Sequence, residues 1–90
     1  MTDTDLIKVI VNRAYRLAWQ NKFLISPYQL RVALESIHKT EIKLDLEALL
    51  LADDEPFTRD VFGLLHNYDH ATMKLRQGFA PKHIIRLEVA

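Results

Sequence analysis

Leu49-Leu50-Leu51-Ala52-Asp53-Asp54-Glu55-Pro56-Phe57-Thr58-Arg59-Asp60-Val61-Phe62-Gly63-Leu64-Leu65 decides the middle of the fold. An apolar run meets three consecutive acids and a proline, and an apolar pattern then restarts. Phe57, Val61, Leu64, Leu65 and Tyr68 fall at i, i+4, i+7, i+8 and i+11, the stripe of a single helix. Acids ahead of a helix are what capping and the helix dipole favour. Asp53, Asp54 and Glu55 therefore read as a stop-and-restart device between two packed segments. Two residues beyond them are not explained by helix formation. Asp60 sits one turn inside the helix, where it is still placed to contact first-turn amides. Gly63 costs about 1 kcal/mol relative to Ala in a helix interior. Close packing of another helix or of the C-terminal segment against Gly63 would offset that.

Upstream, two helices are signalled. Leu6, Ile7, Ile10, Val11, Ala14, Leu17 and Ala18 form an apolar stripe, with Asn12, Arg13, Arg16 and Gln20 opposite. Thr2 or Thr4 can cap this helix, with Asp3 and Asp5 near its positive end. Tyr15 and Trp19, four apart, lie at the stripe's edge. Ser26-Pro27-Tyr28-Gln29 combines a capping box with proline at the first helical position. Leu30, Ala33, Leu34 and Ile37 are the inward residues of that second helix, which should end near His38 to Thr40. Residues 40–44 alternate and read as a short strand or an extended linker. Asp45 can cap a short third helix holding Leu46, Leu49 and Leu50.

Downstream of His70 the pattern changes. Gly78 and Pro81 predict a turn or small hairpin around residues 72–80. Ile85-Arg86-Leu87-Glu88-Val89 alternates as a strand would. Such a strand needs a partner, either residues 40–44 or the same tail of another chain.

Length and composition bound the function. Ninety residues predict a single domain over residues 1–90. A hydrophobic fraction of 49% is ample for a core and argues against disorder. The absence of cysteine excludes disulfides, thiolate catalysis and cysteine-ligated metals. It also points to a reducing compartment. With an acidic N-terminus and no long apolar run, a cytoplasmic protein with no membrane contact is expected. Twelve bases balance twelve acids, but residues 45–60 hold six acids against Arg59 alone. The C-terminal end is basic, through Lys74, Arg76, Lys82 and Arg86. Zero net charge weighs against a nucleic-acid binder, and opposite-sign segments suit intramolecular pairing or self-association.

Residues from about His38 to Lys82 resemble a family of small proteins encoded by bacteriophages and prophages. The resemblance rests on His38, Leu44, Leu46, Leu49-Leu50, Ala52-Asp53-Asp54, Phe57, Asp60-Val61, Gly63, Asp69, Thr72, Leu75, Phe79 and Pro81. The sequence departs from that pattern at Glu55-Pro56, where an aromatic residue and Asn are expected, at Met73, where Gly is expected, and at Lys82, where Arg is expected. Without the glycine, a tight glycine turn near residue 73 is not expected. The family carries no assigned activity, so the resemblance implies a phage-type origin and no mechanism.

The chemical constellations are weak. Asp53, Asp54, Glu55 and Asp60 are hard-metal ligand types, but the calcium-loop spacing is absent. His66 and His70 stand at i, i+4, a geometry that chelates zinc on a helix, with His38, Asp69 and His83 as third-ligand candidates. His38, Asp53, Asp54, His66 and His70 are thus the metal candidates, and capping or solvation is the simpler account of each. At the end of the second helix, the His38 ring N–H is placed to bond terminal carbonyls. Ser26 is a cap, and no nucleophile elbow exists. Arg13, Arg16, Lys22 and Arg31, interleaved with Tyr15, Trp19 and Tyr28, form a basic-aromatic set of the kind that holds single strands.

The sequence thus predicts a mainly α, compact four-helix domain with a short C-terminal β-hairpin or strand pair. It predicts no cofactor and no catalytic residue. The function expected is that of a phage- or prophage-type accessory protein, non-enzymatic, contacting a bacterial or phage protein and able to form a homo-oligomer. Tyr15, Trp19, Leu87 and Val89 are the expected contact residues. The alternatives are a nucleic-acid-binding regulator using helices one and two, and a small metal-dependent hydrolase built on His38, the central acids and His66/His70.

Overall fold

The computed structural model describes residues 1–20, 22 and 25–77. Among them the order is α1 (Asp3–Gln20), α2 (Pro27–Ser36), a π-helical turn (Ile37–Glu41), α3 (Leu46–Leu51), α4 (Asp54–His66), β1 (Tyr68–Asp69) and β2 (Lys74–Leu75). The mainly α architecture of four helices with a strand pair is as the sequence predicts. The 85–89 strand, with Leu87 and Val89, lies outside the described residues. Among the described residues no helix is long and apolar enough to cross a membrane.

The helix starts follow from the caps. Thr2 Oγ accepts from the Asp5 N–H at 3.2 Å, while the Thr2 N–H donates to Asp5 Oδ2 at 3.3 Å. Ser26 and Gln29 make the reciprocal capping box, at 3.1 and 3.5 Å. Asp45 accepts from the Ala48 N–H at 3.0 Å. Each satisfies an amide that a helix N-terminus otherwise leaves unpaired.

The apolar stripes meet in one cluster. Ile7, Ile10, Val11, Ala14 and Leu17 of α1 pack with Leu30, Ala33 and Leu34 of α2, Leu46 and Leu49 of α3, and Phe57, Val61, Leu64 and Leu65 of α4. Phe57 is fully buried. Removing its ring costs about 3–5 kcal/mol on the usual scale for core aromatics.

Two features differ from expectation at the end of α4. The helix stops at His66, so Tyr68 is buried from β1 and not from a helical stripe. Asn67 ends it: its N–H and its Nδ2 both donate to Gly63 O, at 3.1 and 2.8 Å. The chain then reverses as an antiparallel pair, Tyr68 opposite Leu75 and Asp69 opposite Lys74. The hairpin thus spans residues 68–75, earlier than the 72–80 predicted. Its turn forms without glycine. Met73 takes the left-handed conformation itself, at φ 58°. That region costs a residue with a Cβ roughly 1–2 kcal/mol. Hydrogen bonds from Met73 N–H to Asp69 O (2.7 Å) and from Arg76 N–H to Asn67 O (2.7 Å) hold it there.

Candidate functional site

The stop-and-restart segment is organised by a residue from outside it. Arg13 of α1 reaches the α3–α4 junction and donates to Leu49 O (3.1 Å), Leu50 O (3.4 Å) and Ala52 O (2.6 Å). It also pairs with Asp54 Oδ1 at 2.8 Å, and its guanidinium lies 4.2 Å from the Phe57 ring centroid. The carbonyls are those a helix C-terminus leaves unpaired. A cation there also suits the negative end of the dipole. Only a planar fork with several donors serves so many acceptors while stacking on a ring.

Asp53 holds the N-cap position of α4 in extended conformation but makes no side-chain cap hydrogen bond. The acidic turn is therefore closed by Arg13, and the expected carboxylate cap does not form there. The same geometry removes Arg13 from the basic-aromatic set, since its side chain is only 17% exposed.

His38 sits in the π-helical turn, where Ile42 N–H donates to Ile37 O at 2.9 Å. Turns of this type are rare in helices and often stand at functional sites. The imidazole does not bond terminal carbonyls as the sequence suggests. Nδ1 accepts from the Leu44 N–H at 2.9 Å, which places the ring proton on Nε2, and Nε2 donates to Asp3 Oδ2 at 3.0 Å. The π turn carries the ring past the helix end, towards both the returning chain and the start of α1. With both nitrogens engaged and the side chain 8% exposed, His38 fastens three segments. A metal or a transferred proton would have to displace one of those bonds. The depression beside it is lined by Asp3, Lys43, Asp45 and Glu47.

The remaining metal candidates stand apart. His66 ends α4, and His70 lies beyond β1, edge-on to Tyr68 with ring centroids 4.9 Å apart. They do not share a helical face, because Asn67 ends the helix between them. Asp53 is exposed at the α4 start, and Asp54 is taken by Arg13. Among the described residues no three His, Asp or Glu side chains are grouped to hold a metal ion. Asp69 is committed to the hairpin. The Ala71 N–H, then the Thr72 N–H, hold its carboxyl below the usual range.

Asp60 is the one buried charged residue among the described residues, at 2% exposure, and it is engaged in an interaction. Gly63 is half-buried, and Asn67 uses its carbonyl twice.

On the other flank of α1 the surface is open. Trp19 is 66% and Tyr28 68% exposed. Tyr15 is half-buried against the core. Lys8, Asn12, Tyr15 and Trp19 recur at i, i+4, i+7 and i+11, so they share one side of α1. Lys8, Val11 and Asn12 face Pro27, Tyr28 and Arg31 across a groove between α1 and α2. The Arg31 guanidinium stands 5.8 Å from the Tyr28 ring.

Lys8 was missed at the sequence level, and Asn12 and Pro27 were read only as a polar-face residue and a helix start. The signal that marks this region is that residues 6–34 contain Lys8, Arg13, Arg16, Lys22 and Arg31 and no acid.

Comparison with curated proteins and with solved structures returns no match. A family model does match, over residues 2–84, and so takes in the N-terminal helices together with the 38–82 stretch. The chain belongs to a family of unknown function, DUF6874.

Proposed function

We propose that this chain is a single-domain accessory protein of phage or prophage type that works in the bacterial cytoplasm by protein–protein contact, without catalysis. The observation that carries this reading is the exposed aromatic pair. Trp19 and Tyr28 are both about two-thirds exposed, and Tyr28 lines an open α1–α2 groove. Trp, Tyr and Arg are the residue types that dominate binding energy at protein interfaces. Arg31 stands beside Tyr28 with no ion pair among the described residues. The resemblance of residues 38–82 supports the phage-type origin.

The test is a capture experiment from bacterial lysate, with and without phage proteins. Wild-type protein is expected to retain a specific partner that the double variant Trp19→Ala, Tyr28→Ala loses. Met73→Ala, at an exposed site on the hairpin, is the control and should retain it. Equal recovery with the double variant would move the contact surface elsewhere and sink this assignment.

The nucleic-acid reading keeps Arg16, Lys22 and Arg31 but loses Arg13 to the junction. No retention on single-stranded nucleic acid at low salt would end it.

A further inference from the structure

Charge is segregated along this chain in two matching blocks. Residues 6–34 carry bases and no acid, and residues 44–58 carry Asp45, Glu47, Asp53, Asp54 and Glu55 and no base. One pair of these closes within the molecule, Arg13 to Asp54. Glu55 is taken by Arg59, and Asp45 caps α3. Glu47 and Asp53 remain with no ion pair among the described residues, and both are exposed.

Between these two acids stands Leu51, 86% exposed. Glu47 and Leu51 are four apart on α3, hence on the same side of it. Glu47 stands one turn before Leu51 on that side, at the edge of the depression that Lys43 also lines, and exposed Asp53 follows Leu51 by two residues, so the exposed leucine lies in the chain between two carboxylates. The α1–α2 groove is its complement. Val11, Pro27 and the Tyr28 ring give it an apolar floor, and Lys8 and Arg31 supply two cations.

We infer that this groove receives the Glu47–Asp53 ridge of a second copy of the chain, Leu51 entering beside Tyr28 while Lys8 and Arg31 meet Glu47 and Asp53. The inference rests on the proposed reading of the α1–α2 face as a contact surface, and it names the occupant.

Exposed ion pairs alone contribute little, so the buried leucine is the anchor and the charges set the register. A net charge of zero leaves no overall repulsion between copies. The groove and the ridge do not face the same way. Arg13, which holds the ridge side, and Lys8, which lines the groove, are about 140° apart around α1 at ~100° per residue. The contact is therefore head-to-tail. It builds rings or open chains, where a self-complementary patch would stop at a dimer.

Sedimentation equilibrium and light scattering on the full chain test this. Wild-type mass should rise with concentration past that of a dimer, and should fall when salt is raised from roughly 20 mM to about 500 mM. Leu51→Asp, at an exposed position where folding is not at risk, should weaken association at least ~10-fold. The groove-reversed protein (Lys8→Glu, Arg31→Glu) and the ridge-reversed protein (Glu47→Lys, Asp53→Lys) should each stay monomeric. Their equimolar mixture should associate again, because each then offers the charge the other lacks. Circular dichroism confirms that every variant is folded.

A wild-type protein that stays monomeric at low salt up to ~1 mM overturns the inference. So does association that both reversals leave unchanged, or occupation of the groove by single-stranded nucleic acid in place of a second copy. Loss of a lysate partner on Trp19/Tyr28 substitution, with a monomeric wild type, would refute self-docking while leaving the proposed function standing.

Discussion

Among the described residues two arginines, Arg13 and Arg31, meet an aromatic ring, and the two meetings differ in every other respect. Arg13 lies 4.2 Å from Phe57 with three carbonyls and a carboxylate on its donors. Arg31 lies 5.8 Å from the exposed ring of Tyr28, with no ion pair among the described residues. The first arginine is used up by the fold. The second is available to something else. A charged residue beside an aromatic ring is therefore no guide to function until its remaining donors have been counted.

The largest expected effect follows from that count. Arg13→Ala should cost about 2–3 kcal/mol, because it strands helix-end carbonyls and uncovers Phe57. In a domain of this size that lowers the melting temperature by roughly 10–20 °C. Arg31→Ala should stay within about 0.5 kcal/mol of wild type. Arg13→Lys should recover little, since an ammonium neither forks across several acceptors nor stacks flat on the ring. Equal melting temperatures for the two alanine variants would erase the distinction between these arginines.

His38 extends the comparison to a second half-buried polar residue. His38→Ala leaves the Leu44 N–H without its acceptor and should cost about 1–3 kcal/mol. Asp3→Ala, at the exposed end of the same chain of bonds, should cost under about 1 kcal/mol. Nitrogen NMR of the folded protein should show the proton on Nε2. A signal from the other tautomer would contradict the bond from Leu44.

The sequence carried the local signals well. Ser26, Thr2 and Asp45 cap where their spacing says, because a cap is settled within four residues. The stripes of α1 and α2 point at the core for the same reason. The roles of Arg13 and His38 were not legible. Arg13 meets its partners 36 to 41 residues away, and His38 meets Asp3 at a separation of 35. Periodicity could place Arg13 only opposite the apolar stripe. The need for it was visible, however, because α3 has no base in its last turn and Asp53 stands where a helix-ending glycine would. The sequence posed the demand for a donor without naming one. The pair His66/His70 failed in the other direction. An i, i+4 spacing has its helical meaning only while the helix lasts, and Asn67 ends it.

Met73 shows the same limit at the hairpin. Its backbone is left-handed although its side chain disfavours that region, because two cross-turn hydrogen bonds and the Asp69 carboxylate set the turn. Met73→Gly removes the Cβ conflict, less the entropy glycine loses on folding, for a net gain of about 0.5–1 kcal/mol. Met73→Ala keeps the conflict and should show no such gain. A glycine variant no more stable than wild type would mean that the turn is not strained.

The smallest effect is the acid response of the same turn. The Ala71 and Thr72 amides hold the Asp69 carboxyl below its ordinary value of 3.8. A depressed carboxyl binds its proton less readily in the folded chain than in the unfolded one. Its contribution to stability is therefore complete above the unfolded value and is lost as pH falls through the folded one. Amide shifts of Ala71 and Thr72 should accordingly move together below about pH 3.8. Asp69→Asn should abolish that step and leave the α1–α4 resonances in place. Because Asp69 is exposed while the Arg13 junction is built largely on carbonyls, acid should loosen the hairpin before it loosens the junction. The reverse order would contradict a junction held by the three carbonyls.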